Sequence, residues 1–566
     1  MKRRVIPWIL VLFLFASGET AIGKSLFARG GGPTGASYTD FLAGYMEYRA
    51  GNFDAALEWY KKALKAAPNN PDILYEVANV QVKKGKIPEA KEILQKLLDA
   101  NPTHANARLL FAGVLAAAGD NAGALREYER AAAEDSQSEE AHLQLAVMYV
   151  SQNQISKAEE TLSDLIEKKP GFLLGYYYRG RIRAGQKKLE LALSDFDRAL
   201  QISPGFGPAL LDSGIVLEAL SRQTEAEERY REALQSSPDD MMLRERLGRL
   251  LVQEKKIDQA VNEYEELKKV SPASAGVRLR LGILYMERDM FDQAISEFEF
   301  VLKADPTDAS ARFFLGVAYE SKGAGKEAAQ AFRMIPADSS YYRDAQVQLS
   351  LLLSREERWD EAIDILKSLR QQHPEDADLL ILLGGLMEEA KRYEEALALL
   401  EEATKKAPDN AAAWFSLGVV SDKLHRESAV VSSMEKVIAI NPKHATALNY
   451  LGYTFAERNI RLDEAEKLIL RALEVRPEDG YFIDSLAWVY YRRGDFAKAE
   501  RTQKKAMALV ADDPTMLEHM GDILAAQGKN REAAVNYEKA IAKGHEKKDD
   551  VAAKLKKIRS AGSPRK

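Results

Sequence analysis

A short stretch near the start of the chain has the residue types and spacing of a phosphate-binding loop. Residues 18–25 read GETAIGKS, which fits the pattern GxxxxGK[ST] at every defined position. In such a loop backbone amides surround a phosphate, and Lys24 would contact it. The motif must open a helix, but the residues that follow, LFARGGGPTGA, are too rich in glycine to form one. We therefore interpret the match as coincidence, and keep a nucleotide-binding enzyme that uses Gly18–Ser25 only as an alternative.

The other residue types that perform catalysis or bind metals are scattered or missing. The seven histidines are dispersed along the chain, and neither HExxH nor GxSxG occurs. The absence of cysteine excludes disulfides, thiolate metal sites and cysteine nucleophiles. His519 and Asp522 would share a helix face, which we interpret as a polar pair on a surface. The sequence thus predicts a protein that is not an enzyme, with no catalytic residue, no cofactor, no metal site and no small-molecule substrate.

Any functional side chain must be positioned by a repeat that fills most of the chain. One unit, residues 277–306, reads as two short amphipathic helices joined by a polar turn. In the first helix a small residue recurs every 34 positions, with one inserted residue late in the series: Gly44, Ala78, Ala112, Ala146, Gly180, Gly214, Gly248, Gly282, Gly316, Ser350, Gly384, Gly418, Gly452, Ala487 and Gly521. In the second helix the small residues are Ala56, Ala90, Ala124, Ala158, Ala192, Ala226, Ala260, Ala294, Ala328, Ala362, Ala396, Ala465, Ala499 and Ala533, with Val430 in the twelfth unit.

Close approach between helices explains the small residues. Helix axes that pack about 8–10 Å apart leave no room for a long side chain where the backbones nearly touch. A large residue, such as Tyr60, Phe196 or Tyr537, often follows the second small residue by four positions and would fill the remaining space. Most units then close with a proline, which cannot continue a helix.

This 34-residue period, with its small, large and proline positions, resembles the tetratricopeptide repeat. The resemblance covers residues 37–547. It implies an all-α fold, a right-handed α-α superhelical solenoid of about 15 helix pairs, whose concave face is lined by first helices and binds proteins or peptides.

The chain divides into six segments by composition and repeat. Lys2–Arg4, the apolar run Val5–Ala16 and the small residues after it predict a signal peptide over residues 1–18. The further segments are a flexible linker at 19–36, units 1–9 at 37–340, units 10–15 at 341–547, a capping helix at 548–560 and a disordered tail at 561–566. Pro336 predicts a shortened helix and a joint near residues 334–342, and the extra residue of the thirteenth unit falls between Glu457 and Glu464.

Candidate binding residues come from the predicted groove. Residues three before and one after the first small residue should point into it, with further aromatics one turn away. Aromatic and arginine side chains there are typical of interface anchors, although some could instead pack between neighbouring units. The predicted partner-binding residues are Phe41, Tyr45, Tyr48, Tyr75, Asn79, Tyr177, Arg181, Arg249, Tyr453, Trp488 and Tyr491.

The distribution of charge and one further resemblance indicate which class of partner the chain could bind. The net charge of −6 with interspersed signs does not favour nucleic acid. Residues 447–500 are similar to the last units of bacterial envelope tetratricopeptide proteins, including a lipoprotein that activates a carboxyl-terminal processing protease. That resemblance implies a periplasmic adaptor, although Glu19 stands where a lipoprotein has its cysteine.

We therefore expect an exported scaffold in the periplasm or cell envelope that binds a protein or peptide. It would contact the membrane only if the N-terminal segment stays uncleaved. A component of polysaccharide export or pilus assembly is the alternative.

Overall fold

The structure, a computed structural model, describes residues 35–561, and the regular elements described there are all α-helices. Helices α1–α15 are Gly35–Arg49, Phe53–Ala66, Pro71–Lys83, Ile87–Ala100, Ala105–Ala117, Asn121–Glu134, Glu139–Ser151, Ile155–Lys168, Leu173–Gly185, Leu189–Ile202, Gly207–Ala219, Gln223–Ser236, Met241–Gln253, Ile257–Val270 and Ala275–Glu287. Helices α16–α31 are Phe291–Ala304, Ala309–Ser321, Gly325–Arg333, Tyr342–Arg355, Trp359–Gln372, Ala377–Glu389, Tyr393–Lys406, Ala411–Lys423, Glu427–Ile440, Ala445–Glu457, Leu462–Val475, Gly480–Arg492, Phe496–Leu509, Pro514–Ala526, Asn530–Ala542 and Lys548–Ala561.

The fold class is the all-α array of helix pairs that the sequence predicts. Odd-numbered helices up to α29 are the first helices of successive units, and even-numbered helices are the second ones. The chain divides into two compact bodies, Met1–Asp289 and Met290–Lys566. The predicted signal peptide, the match at Gly18–Ser25, residues 19–34 of the linker and residues 562–566 lie outside the described part of the chain.

The two small positions and the large residue of each unit fit together as the spacing predicts. A methyl group added to Gly44 would lie 2.7 Å from the ring of Tyr60, and one added to Gly521 would lie 2.5 Å from the ring of Tyr537. Both distances are too short for carbon atoms, so glycine is what allows these rings to pack against the first helix.

Helix boundaries follow local chemistry. Many first helices begin at a side-chain cap, as where Asn70 accepts a hydrogen bond from the backbone N–H of Ile73 at 3.1 Å. The turn inside a unit contains a residue with positive φ, for example Asn153 at 60°. In the thirteenth unit Asn459 and Arg461 both have positive φ, at 55° and 47°. The second left-handed residue, Arg461, allows the turn to accommodate the one inserted residue that the sequence places there.

The irregular stretch after Gly325 contains the shortened helix that Pro336 predicts. Helix α18 ends at Arg333 after nine residues. The hydrophobic core nevertheless continues across the interruption, because Phe332, Ile335 and Leu349 belong to one buried cluster. Ile335 therefore supplies apolar contact where the helix has already ended.

The last helix, α31, covers the end of the array. Val551 is fully buried on it, and Leu555 and Ile558 pack against Tyr537 and its neighbours. The apolar stripe of this helix thus takes the place of a further first helix.

Candidate binding surface

Three successive first helices, α25, α27 and α29, carry equivalent residues near the C-terminus. Asn449, Asp484 and Glu518 lie three before the small position, and Tyr453, Trp488 and Asp522 lie one after it. Because the unit geometry repeats, equivalent residues lie side by side on adjacent helices. We call the side chains of Asn449, Tyr453, Glu457, Asp484, Trp488, Tyr491, Gln503 and His519 the C-terminal cluster.

Trp488 is the centre of this cluster and is itself buried. Its ring stacks on Tyr491 with centroids 4.6 Å apart and on His519 with centroids 4.2 Å apart. Its indole N–H donates to Glu457 Oε2 at 2.9 Å, and only 6% of the residue is exposed. Trp488 therefore packs between neighbouring units and shapes the surface, which corrects its prediction as an exposed groove residue.

A buried hydrogen-bond network lies beneath the stacked rings. His519 Nδ1 is 3.0 Å from both carboxylate oxygens of Asp484. Gln503 donates to Asp484 Oδ1 at 2.6 Å and to the backbone oxygen of Met516 at 3.1 Å. Burial opposes the charge on the imidazole, but the Asp484 carboxylate outweighs it, so the pKa of His519 is raised. The network thus favours the protonated form of the histidine that stacks on Trp488.

Tyr453 and Tyr491 are the half-buried aromatic members of the cluster, as the groove prediction requires. Burial, with the Glu457 carboxylate adding to it, raises the pKa of Tyr453, and burial also raises the pKa of Tyr491. Both phenols therefore stay neutral, and the Tyr453 hydroxyl is hydrogen-bonded to Glu457.

The capping helix places a lysine on the carboxylates of the last unit. Lys554 Nζ donates to Asp522 Oδ2 at 2.6 Å and to Glu518 Oε1 at 2.8 Å. His545 Nε2 lies 2.8 Å from Glu518 Oε2, and the Tyr537 hydroxyl donates to Asp522 Oδ1 at 2.6 Å. The Lys554 ammonium thus joins α31 to α29 through two carboxylates.

The first two units carry a second group of aromatic and polar side chains, Tyr45, Tyr48, Tyr75, Glu76 and Asn79, which we call the N-terminal cluster. All but Glu76 are half-buried. Tyr75 stacks on a histidine of the next unit, His104, with centroids 5.7 Å apart. Phe41, predicted to belong here, is only 2% exposed and packs on Tyr60 with centroids 5.6 Å apart. It is a core residue, because the first helix turns it toward its own partner helix.

Glu76 is the acidic member of the N-terminal cluster, and within residues 35–561 its hydrogen-bond partner is a neutral amide. The side-chain amide of Asn79 is 3.5 Å from Glu76 Oε2. Burial, opposed in part by the Asn79 hydrogen bond and assisted by Asp72, raises the pKa of Glu76 to about 7. This carboxyl group changes charge near neutral pH.

The remaining predicted residues lie in units five and seven. Tyr177 is 8% exposed, and its hydroxyl donates to Asp212 Oδ2 at 3.1 Å. This buried position corrects its prediction as a groove residue. Arg181 is half-buried with its Nε 3.4 Å from the same carboxylate, and it lines a small apolar hollow with Leu143 and Val147. Arg249 is exposed.

A cavity of about 540 Å³ beside α10 is occupied by internal charge pairs. Arg179 Nη2 donates to Asp195 Oδ1 at 2.7 Å, and Arg222 Nη2 donates to Glu225 Oε2 at 2.6 Å. Since these arginines already have carboxylate partners, the cavity offers little charge to a ligand. Within residues 35–561 we find neither a cluster of residues that could hold a metal ion nor a helix long and apolar enough to span a bilayer.

Two kinds of contact were missed by reasoning from the sequence. Gln503 lies on a second helix, where the repeat indicates no functional position, yet it completes the Asp484 network. In several units the fourth residue of the first helix donates to the carbonyl of the preceding proline, as Arg244 does to Pro238 at 2.6 Å and Trp414 does to Pro408 at 3.0 Å. A long donor six residues after the proline could have predicted this second contact.

The fold and this surface define a helical repeat protein whose first helices carry grouped aromatic and acidic residues. Family models described as tetratricopeptide repeat match residues 47–113, 115–173, 353–417, 211–275, 279–342 and 485–502, which together make up more than half of the chain. The chain belongs to the tetratricopeptide repeat family.

Individual relatives match only parts of the chain. A protein O-mannosyl-transferase, TMTC1, of Homo sapiens is 27% identical over 217 residues, which cover 38% of this chain and 24% of that protein. A TPR repeat-containing protein of Pseudomonas aeruginosa is 42% identical over 76 residues, 13% of each chain. The chain thus matches about a quarter or less of the length of these relatives.

Solved structures to which the chain is similar include two bacterial proteins. A tetratricopeptide repeat protein from Parabacteroides merdae aligns with a TM-score of 0.38 and 20% identity, covering 44% of this chain and 98% of that one. A thermophilic TPR protein from Thermus thermophilus aligns with a TM-score of 0.29 and 23% identity, covering 32% of this chain and 99% of that one.

Proposed function

We propose that this chain is an exported scaffold that binds a protein or peptide partner on the surface formed by its first helices. Tetratricopeptide repeats generally mediate protein–protein interactions, and the family assignment supports this part of the proposal. The observation that carries it further is the C-terminal cluster. It groups half-buried tyrosines and carboxylates on adjacent first helices around a rigid tryptophan stack.

The physical argument is preorganisation. An aromatic side chain that is already fixed by stacking loses little conformational freedom when a partner covers it. Tyr453 and Tyr491 combine an apolar ring with a hydroxyl group, the combination that favours aromatic residues at interfaces. The wall behind them is held by Trp488, so a partner meets a formed surface.

Export and an envelope location are part of the proposal and rest on the sequence of residues 1–18. The partner would be an envelope protease or an assembly machine, and polysaccharide export or pilus assembly would use the same surface. Sequencing the amino terminus of the mature protein tests export. Cleavage after residue 18 supports it and removes the first glycine of the match at Gly18–Ser25, whereas an intact leader on protein recovered only from the cytoplasm contradicts it.

Site-specific crosslinking tests the binding surface. A photoreactive amino acid placed at Tyr453 or at Tyr491 should crosslink one defined partner in cells that produce the full chain. The matched control is the same amino acid at Tyr481, which is 56% exposed on the helix that carries Tyr491. The same partner should be recovered less well by a Tyr453→Ala/Tyr491→Ala variant, with Trp488 left in place because its burial makes it structural. Crosslinks from Tyr481 alone, or none from the two tyrosines, would refute the proposal.

A further inference from the structure

Two carboxylates on the first helices of this region accept hydrogen bonds from neutral donors. Glu457 of the C-terminal cluster accepts at Oε2 from the Trp488 indole at 2.9 Å, and Asp422 on the preceding first helix, α23, accepts at Oδ2 from the Tyr450 hydroxyl at 2.8 Å. Among the described residues neither carboxylate forms an ion pair. Their negative charge is therefore available on the surface of the first helices.

Two buried oxygen atoms in the same region lack a donor altogether. Gln503 is fully buried, and its amide nitrogen donates to Asp484 and Met516, but its Oε1 has no hydrogen-bond partner. Asn449 Oδ1, in the row that continues to Tyr453 and Glu457, is likewise buried and without a partner. A buried acceptor without a donor is destabilising, and these two oxygens add to the acceptors that lie beneath this surface.

The fold already shows how a cation occupies equivalent positions one unit further on. Lys554 of the capping helix donates to Glu518 and Asp522, which correspond to Asp484 and Trp488 in the preceding unit. The lysine approaches α29 from the side on which a further first helix would lie. In the preceding unit the corresponding place beside Asp484 is taken by His519, so in both units a basic side chain lies between successive helices at the end of the array.

The aromatic rings add a second source of attraction for a cation. Tyr453, Trp488 and Tyr491 lie beside the carboxylates of Glu457 and Asp484, with Trp488 bonded directly to Glu457. The face of an aromatic ring attracts ammonium and guanidinium groups electrostatically. Arg492, on α27, and Arg458, which follows Glu457 and lies 3.4 Å from Glu427, contribute positive charge nearby, so the attraction for a cation rests on Glu457 itself and on the rings.

Resting on the proposed function, we infer that the C-terminal cluster binds a lysine- or arginine-bearing segment of a protein partner. The basic side chain enters between Tyr453 and Tyr491 and donates hydrogen bonds to Glu457. The neutral parts of the segment lie along the aromatic rings. Arginine suits the site best, because its planar group supplies five donors and stacks on rings.

Fluorescence anisotropy with defined peptides tests this inference on the full mature chain. The probes are labelled decapeptides that alternate alanine with arginine, with lysine, with acetyl-lysine or with glutamate. The arginine and lysine peptides should bind at least about tenfold more tightly than the acetyl-lysine and glutamate peptides at low salt. Equal binding of all four peptides would overturn the inference.

Two variants with the same change of net charge locate the site. Glu457→Gln keeps an acceptor for the Trp488 indole but removes the charge, and should weaken the arginine peptide by about tenfold. Glu474→Gln, at an exposed glutamate on the second helix α26, should leave affinity unchanged. Equal effects of the two variants would mean non-specific attraction and refute the site. Hydrogen exchange of α25–α29 confirms that Glu457→Gln remains folded.

Failure of this inference can be told apart from failure of the proposed function. If Tyr453 crosslinks a partner whose recovery is the same with Glu457→Gln, the surface binds proteins without using a basic side chain. If no crosslink forms at all, the proposed function itself is wrong.

Discussion

The N-terminal and C-terminal clusters are built from the same types of residue but differ in how their buried acid is balanced. Glu76 has an amide 3.5 Å away and a pKa raised to about 7 by burial. Asp484 has His519 Nδ1 at 3.0 Å and the Gln503 amide at 2.6 Å. An acid without a cationic partner tends to lose its charge when buried, whereas a paired one keeps it.

This difference gives the two surfaces different properties near neutral pH. The N-terminal cluster becomes more negative as the pH rises through about 7, because Glu76 loses its proton there. The C-terminal cluster instead holds its buried carboxyl group 3.0 Å from His519 Nδ1, beneath the aromatic rings. The same kind of carboxyl group can therefore report pH in one unit and hold a binding surface in another.

The largest effect is expected from removing the tryptophan that makes the C-terminal cluster rigid. Trp488→Ala should destabilise α25–α29 by about 3–5 kcal/mol, as truncation of a large buried ring commonly does. Hydrogen exchange resolved by helix measures this loss, since repeat arrays open locally. Tyr481→Ala on the same helix is the control and should change stability by less than about 0.5 kcal/mol. Similar losses in the two variants would show that Trp488 has no special role.

Removing the acid of the N-terminal cluster should stabilise it. The folded pKa of Glu76 lies above its unfolded value, so its proton stabilises the native state at low pH. That stability is lost as the pH rises through about 7. Glu76→Gln should therefore protect α1–α3 by about 2 kcal/mol at pH 8, with no gain at pH 4. The exposed Glu89→Gln serves as control. A gain that is the same at both pH values would contradict the proposed origin of the effect.

Replacing the glycine at the close contact between the two helices of a unit should cost the same stability near the N-terminal cluster as near the C-terminal cluster. Gly44→Ala and Gly521→Ala each place a methyl group against a buried tyrosine ring and should cost about 1–3 kcal/mol. Gly113→Ala meets only the Tyr128 hydroxyl at 3.5 Å and should be neutral or slightly stabilising. Thermal unfolding and local hydrogen exchange of the three variants make the comparison. A loss of stability in only one of the two glycine variants would show that the packing of glycine against a tyrosine ring is not shared by the two units.

The smallest effect concerns the charge on His519. Because Asp484 raises the pKa of this histidine, the stability that its charge supplies is complete below about pH 6.5. It is lost as the pH rises through the raised value. His519→Asn keeps a donor toward Asp484 without a charge, and should reduce the protection of α29 by about 1 kcal/mol at pH 6. Above the transition the two proteins should converge. A difference that does not depend on pH would exclude the ion pair.

Much of the fold, and less of the surface, could be predicted from the sequence. The pairing of Gly44 with Tyr60 follows from a spacing of residues along one unit, and the structure confirms it. The burial of Phe41 and Trp488 did not follow, because it depends on which neighbouring ring fills the space beside each of them. Periodicity identifies the face of a helix but does not say how far a side chain on that face is covered.

By itself the sequence determined the repeat, the order of the helix pairs and the positions where backbones approach closely. These features rest on contacts between residues a few turns apart, which a 34-residue pattern records directly. Only the tertiary structure decided which acids are paired. It places His519 against Asp484 and Lys554 against Asp522, although these partners are 35 and 32 residues apart along the chain. The charge of a buried carboxyl group depends on such distant neighbours, because burial alone would make it neutral.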